Sequence, residues 1–251
     1  QELRDTLVRI TELACNERVD ALLCGGDLYE HERFTPDTVA FLQRAFEQIH
    51  PLPVFIAPGN HDWLGPASVY AQATWSDNVR VFQQDSLEPV TLAEGLTLWG
   101  AAHRAPANTD GFLEHFQVDR GGINLALFHG SEQGALGFQG SGKVPHAPFR
   151  LDQIPAAGLR HAFLGHFHRP RSTEWSTYPG NPDPLAFGED GERGAVLLTV
   201  EDDGSVDREW RSVACSSLHS LSLELNGCRS LQEVRDRIIE MTKGLDGFVE
   251  I

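Results

Sequence analysis

Apolar residues recur at helical spacing from the start of the chain, where Leu3, Leu7, Ile10 and Ala14 fall on one face. The pattern then shifts to a short β-type run, Val19 to Cys24, closed by Gly25-Gly26-Asp27. Thr35-Pro36 reads as an N-cap followed by proline at the first helical position, with Val39, Leu42, Phe46 and Ile49 as the apolar stripe behind it. Val54 to Ala57 is the next strand and ends at Pro58-Gly59-Asn60. Two helix-to-strand units in succession predict at least partly parallel pairing, with helices packed on the sheet faces. From Val79 onward the pattern is richer in strands. They are predicted around Val79 to Phe82, Leu96 to Ala101, Ile123 to Phe128, Ala162 to Leu164, Ala195 to Val200 and Val206 to Val213. A second, largely antiparallel sheet is the economical arrangement of these. Gly130 to Phe149, rich in Gly, Ser, Pro and Gln, predicts a long loop of the kind that often carries function.

Beyond Val213 a new unit is expected. Leu218 to Leu225 alternates like a strand, Ser230 caps a helix running to about Thr242, and Phe248 to Ile251 opens another strand. A β-α-β fragment of roughly 40 residues is too small to fold alone. Residues 1–213 are therefore expected to form one domain, and residues 214–251 the truncated start of a second.

Three segments repeat one arrangement. Gly26-Asp27, Gly59-Asn60-His61-Asp62 and Gly165-His166-Phe167-His168 each put metal-binding or proton-transferring side chains on a glycine-permitted turn after an apolar run. His129 in Leu127-Phe128-His129-Gly130 follows the same rule. Ligands of open α/β sheets collect beyond the carboxyl ends of strands, where all of these residues are expected. A mixed Asp, Asn and His set points to a first-row ion such as Mn, Fe or Zn rather than calcium. Asp27 has two oxygens and is the natural bridge, Asn60 offers a carbonyl oxygen, and His129, His166 and His168 offer nitrogens. His61 is the candidate general acid, with Asp62 to orient it. The set implies phosphoester hydrolysis, in which a metal-activated nucleophile attacks phosphorus while His61 assists the leaving oxygen.

Other residues near these motifs have a weaker claim. His31, in the Tyr29 to Phe34 loop, and His103-Arg104, after the strand ending Trp99-Gly100-Ala101-Ala102, are candidates for contact with substrate, against plain loop and surface positions. Trp63 and Phe167 flank the motifs and are candidates for stacking on a base. For Phe167, packing beneath the site is preferred, because the middle residue of G-H-x-H should point away from its neighbours. His50, His115, His146, His161 and His219 show no partner pattern and are expected to be ordinary.

At 251 residues the chain can bury a real core, and its 20 Lys and Arg against 36 Asp and Glu leave a formal charge of −16. That balance argues against a basic DNA-wrapping module. Two divalent ions would add four positive charges locally, so it does not decide the substrate. No apolar run has the length of a membrane span, and no membrane partner is expected. Cys15, Cys24, Cys215 and Cys228 lack C-x-x-C spacing and are read as free thiols, in keeping with a reducing, cytoplasmic setting.

In order along the chain, these motifs resemble the calcineurin-like metallophosphoesterase superfamily, whose pattern is D-x-H, G-D, G-N-H-[DE], a lone His and G-H-x-H. Four of the five blocks are present. The segment from Tyr178-Pro179-Gly180-Asn181 through Glu189, continued by Gly191 to Leu198, is most similar to bacterial DNA-repair exonucleases of the SbcD type, which more often carry Ser where Asn181 stands. The resemblance implies a four-layer α/β/β/α sandwich of two mixed sheets, here without its first strand and D-x-H block, which are expected to lie upstream. It implies two divalent metal ions, most simply Mn, with Asp27 bridging. Asn60, His129 and His166 would hold one ion and His168 the other. The implied activity is exonuclease or endonuclease action in DNA repair, with the unit after Val213 beginning a DNA-facing cap. The resemblance also implies DNA as substrate, an SMC-like ATPase partner of the SbcC type, and a homodimer. Two other functions remain open: a phosphatase or small-nucleotide phosphodiesterase, and a non-catalytic scaffold with a degenerate metal site.

Overall fold

The computed structural model describes residues 1–106, 111–138, 145–189, 191 and 193–251, so residues 139–144 of the expected long loop lie outside the described residues. The chain opens with α1 (Glu2–Glu17), leads into β1 (Leu22–Cys24), and continues through α2 (Pro36–Glu47) to β2 (Val54–Ile56). Thr35 caps α2, its hydroxyl accepting from the Thr38 amide, and Pro36 occupies the first turn. A single helical turn, α3 (Val69–Gln72), precedes β3 (Val79–Val81). The three strands form one parallel sheet in the order β1-β2-β3, with Leu22 opposite Val54 and Ile56 opposite Val81.

Strand periodicity divides this sheet's side chains between two cores. Val54 and Ile56 face outward against Leu42, Phe46 and Ile49. Phe55 and Ala57 face inward and meet Leu98, Leu125, Leu127 and Phe163 of a second sheet. That sheet contains β4 (Glu88–Ala93), β5 (Leu96–Gly100), β6 (Ile123–His129), β7 (His161–Gly165), β8 (Arg171–Ser172) and β9 (Ser176–Tyr178), in the order β4-β5-β6-β7-β9-β8. Its far face, with Trp99, Phe128 and Leu164, is covered by Leu113, Phe149, Ile154 and Leu159. The helical turn α4 (Gln153–Ala156) lies in this covering layer, which is otherwise mostly loop. The α/β architecture with stacked sheets is thus as the sequence predicts.

The strand arrangement differs from expectation. β5, β6, β7 and β9 run parallel to one another, and only the edge pairs β4–β5 and β8–β9 are antiparallel, so the second sheet is mixed rather than largely antiparallel. The strand run Leu125 to Phe128 is buried on both faces, and the links from β5 to β6 and from β6 to β7 are long enough for crossovers, both marks of parallel strands. In addition, β3 joins the first sheet. β10 (Gly194–Val200) and β11 (Val206–Ser212) form a separate antiparallel hairpin whose Leu198, Val200 and Val206 pack against the inter-sheet core.

Residues after Val213 form β12 (Leu218–Ser220), α5 (Leu231–Thr242) and β13 (Phe248–Glu250), with β12 parallel to β13 and Ser230 capping α5 through the Glu233 amide. The expected strand to Leu225 is therefore shorter. The hydroxyl of Thr6 on α1 and the amides of Cys215 and Ser216 all donate to the buried Asp183 carboxylate, tying this end of the chain to its beginning. Among the described residues no helix is long and apolar enough to cross a membrane.

His161, at the start of β7, is buried in a polar network. Its Nε2 lies 2.9 Å from the Thr177 hydroxyl, and Arg208 donates to that hydroxyl at 2.7 Å. Burial, reinforced by the Arg208 charge, pushes His161 from 6.5 down to about 4. The unfolded chain therefore takes up this proton first, and stability present above about pH 6.5 is lost as pH falls toward about 4. Urea titrations across that range are expected to show a loss on the order of 3 kcal/mol from this group, and a shallower pH dependence in His161→Gln.

Candidate metal centre

The carboxyl ends of the two sheets meet at glycines. A Cβ on Gly59 would run into the Asp27 carboxylate and lie 2.7 Å from the His129 ring, so the turn after β2 must carry no side chain there. Gly25 and Gly165 approach so closely that a Cβ on Gly25 would sit 2.7 Å from the Gly165 nitrogen. Asp27, with φ 57°, and His166, with φ 108°, leave these turns with positive φ, uncommon for residues that have a Cβ. Backbone held this way costs about 1–3 kcal/mol per residue and concentrates at functional sites.

Four expected site residues converge as a result. His129 Nε2 lies 3.2 Å from Asp27 Oδ2, 3.0 Å from Asn60 Oδ1 and 3.3 Å from His166 Nδ1. Ligands about 2.1 Å from one ion are separated by about 3.0–3.4 Å in octahedral or tetrahedral geometry, and the three separations from His129 Nε2 match that spacing. His129 Nδ1–H donates to the Gly25 carbonyl at 2.7 Å, which fixes the ring and leaves Nε2 as the atom that could ligate a metal. Burial alone would raise Asp27, but the charge and hydrogen bond of His129 and the His61 amide carry it well below the usual carboxylate range. Burial and the His129 charge push His166 down to about 2, which keeps it in the neutral form that binds metal. Among the described residues no group of three or more His, Cys, Asp and Glu is already closed around a metal position.

His168 makes its contacts elsewhere. Its Nδ1 meets Glu189 Oε1 at 2.6 Å, and its carbonyl accepts from the Asn181 amide at 3.0 Å and from Arg193. Glu189 also accepts from Asn181 Nδ2 at 3.1 Å and from the Leu185 amide at 2.9 Å. The Tyr178 to Glu189 segment is thus a bracket that holds His168.

Of the expected proton-transfer pair, His61 is at the site and Asp62 has another task. The exposed His61 places its amide 2.9 Å from Asp27 Oδ1 and its Nδ1 3.2 Å from Glu30. Asp62 is fully buried and accepts from the Gly59 amide at 2.6 Å, from the Leu28 amide at 2.8 Å and from the Tyr70 hydroxyl. Its oxygens are thus committed to the two site turns, and Glu30 is the carboxylate beside His61. Burial and the Asp27 charge raise Asp62 to about 6.

The expected substrate contacts also resolve into positions. His31 stacks on Trp63 with ring centres 4.3 Å apart, so Trp63 already has an aromatic partner. His103 is buried and its Nε2–H donates to the His129 carbonyl at 2.9 Å, a packing role behind the ligand. Arg104 is exposed and spends its guanidinium on the Gln83 carbonyl at 2.6 Å. Phe167 is buried against Tyr178, as expected.

Residues 1–170 match the calcineurin-like phosphoesterase family. The chain belongs to that family. It is 26% identical to the uncharacterized metallophosphoesterase YhaO of Bacillus subtilis over 80% of this chain and 50% of that protein. It is 27% identical to the DNA double-strand break repair protein Mre11 of Methanopyrus kandleri, over 95% of this chain and 57% of that one. The chain therefore spans about half the length of these curated relatives. A solved crystal structure superposes with a TM-score of 0.51 at 13% identity, covering 82% of this chain and 93% of its own, which supports the fold alone.

Calcineurin-like phosphoesterases are metal-dependent hydrolases that typically use two divalent ions, and the donors described above suit such an ion. Three residues of this phosphoesterase site went unassigned in the sequence: Glu30 beside His61, Glu189 beside His168, and His146, whose ring lies 5.4 Å from that of His166. Glu30 stands three residues after Asp27, and Glu189 at the end of the bracket. His146 is brought in by the loop and carries no local signal. Glu189→Ala frees the His168 ring and is expected to weaken Mn²⁺ binding about 10-fold by isothermal titration calorimetry, and to lower the metal-free melting temperature through the lost Asn181 and Leu185 contacts.

Proposed function

We propose that this phosphoesterase hydrolyses phosphodiester bonds at DNA ends with two divalent ions, Mn²⁺ foremost, as part of DNA repair. The observation that carries the chemistry is the convergence of Asp27, Asn60 and His166 on His129 Nε2 within 3.0–3.3 Å, with His61 hydrogen-bonded to the same Asp27. The choice of DNA rests on the Mre11 relative, which aligns with 95% of this chain. Asp27, Asn60, His129 and His166 would hold one ion, while His168, with Asp27 as the shared bridge, would serve the other. When bound, the ions supply Lewis-acid polarisation of a phosphoryl oxygen and a nucleophile competent near neutral pH.

The chain's own residues do the rest. His129, locked by the Gly25 carbonyl, keeps its lone pair on Nε2. Asp62 holds the turns of Asp27 and Asn60 at fixed separation. His61, with Nδ1 beside Glu30, retains Nε2 to protonate the leaving oxygen. The proposal extends to an SMC-like ATPase partner and a homodimer, which copurification and light scattering would test. Mn²⁺-dependent release of nucleotides from duplex ends by the native protein is the expected result. Turnover of bis-p-nitrophenyl phosphate without action on DNA would instead assign it to small phosphodiesters, a reading the net charge of −16 favours.

A further inference from the structure

His146 belongs to a closed ring of four imidazoles. Ring centres are separated by 5.1 Å from His129 to His166, 5.4 Å from His166 to His146, 6.1 Å from His146 to His103 and 5.5 Å from His103 to His129. Three of the four have an explained place: His129 and His166 converge on the ion position, and His103 braces the His129 carbonyl. His146 is held there by its backbone. Its amide donates to the Ser131 hydroxyl at 3.0 Å and its carbonyl accepts from the Ser131 amide at 2.7 Å, two residues beyond His129. The next residue, Ala147, takes φ 37°, a positive value unusual for alanine, and its carbonyl oxygen lies where a Cβ on Gly130 would be only 2.8 Å away. His146 and Ala147 are thus held tightly against Gly130 and Ser131, which brings this imidazole to the site.

Two buried nitrogens in this ring of histidines are unspent. Among the described residues neither His166 Nε2 nor His146 Nδ1 has a hydrogen-bond partner. His166 directs Nδ1 at His129 Nε2, so its Nε2 lies on the other edge of the ring. A histidine that ligates through Nδ1 carries its proton on Nε2, and a metal-bound histidine nearly always donates that second N–H to an acceptor. At 5.4 Å between ring centres, the two nitrogens have room for a hydrogen bond of about 3 Å.

We propose that His146 is the positioning residue for His166. Its Nδ1 accepts the His166 Nε2 proton and so holds the ligand in the orientation and tautomer that bind the ion shared with Asp27, Asn60 and His129. This rests on the metal reading of the site, and it adds a function to the long loop, because the loop then sets the affinity of the centre it borders.

The test is Mn²⁺ titration of the whole protein by isothermal calorimetry, with melting temperatures of the metal-free forms alongside. His146→Leu removes the acceptor and is expected to weaken binding of the tighter ion 10- to 100-fold. His146→Asn, whose side-chain oxygen can stand near the Nδ1 position, is expected to recover most of that loss, and both metal-free variants should melt close to wild type. Wild-type affinity in His146→Leu would overturn the proposal. So would equal losses in both variants accompanied by a lowered metal-free melting temperature, which would mark a purely structural side chain. Absence of Mn²⁺ binding by the wild-type protein would overturn the metal reading together with this inference, and so is distinguishable from failure of the inference alone.

Discussion

Replacing His129 with alanine is expected to abolish metal-dependent hydrolysis while leaving the chain folded. His129 Nε2 is the point on which Asp27, Asn60 and His166 converge, so its loss opens the donor set at its centre. Loss of a single group that orients a ligand already lowers metal affinity 10- to 100-fold, and removal of the ligand itself should exceed about 100-fold. Loss of one electrostatic contact to a transition state costs about 10²–10³ in rate, which the absence of a held ion should match or surpass. The fold has reason to survive. His103 donates to the main-chain carbonyl of residue 129, which alanine retains, and β6 keeps its pairing with β5 and β7. The lost Gly25 contact and the small void should cost about 1–3 kcal/mol. Circular dichroism, calorimetric Mn²⁺ titration and turnover of bis-p-nitrophenyl phosphate together check this outcome. Retained Mn²⁺-dependent turnover would remove His129 from the site.

Asp62→Ala is expected to act in the opposite order, through stability before chemistry. The side chain is fully buried and receives hydrogen bonds from the Gly59 amide, the Leu28 amide and the Tyr70 hydroxyl. Alanine strands all three donors in a dry interior at about 1–3 kcal/mol each, so a loss of about 3 kcal/mol or more is expected. For a domain of this size that corresponds to a fall in melting temperature of about 6–12 °C. Tyr70→Phe, which removes a single hydroxyl contact, should cost only about 1 kcal/mol. A residue whose task was to orient the His61 imidazole would show normal melting and reduced turnover. Thermal denaturation of the two variants therefore separates a clamp on the site turns from a partner in proton transfer.

The difference between those readings of Asp62 shows where the sequence was legible. Gly59-Asn60-His61-Asp62 announces a turn with chemical side chains, and glycine spacing announces how close that turn comes to its neighbours. Which way each side chain points after the turn depends on groups far away in sequence, here Leu28 and Tyr70. The convergence of Asp27, Asn60, His129 and His166 was readable because each follows a strand, and parallel strands deliver their carboxyl ends to a common edge. His146 was not readable, because its placement depends on its backbone pairing with Ser131, a contact with no periodic pattern. The positions of the helices and of most strands were legible in the local pattern, but the buried face was not always so: α1 buries Thr6, Thr11 and Ala14 and leaves Leu3 exposed, and α5 buries none of its residues. Strand direction in the second sheet was misread because strand content alone suggested hairpins. The doubly buried run Leu125 to Phe128 and the length of the connections are what specify parallel pairing.

The central claim is that Asp27, Asn60, His129 and His166 surround one divalent ion, and anomalous diffraction from crystals equilibrated with Mn²⁺ tests it most directly. The account predicts a peak about 2.0–2.3 Å from Asp27 Oδ2, Asn60 Oδ1, His129 Nε2 and His166 Nδ1. Saturating Mn²⁺ with no peak there, or a fully occupied ion that leaves His129 unbound, would contradict it.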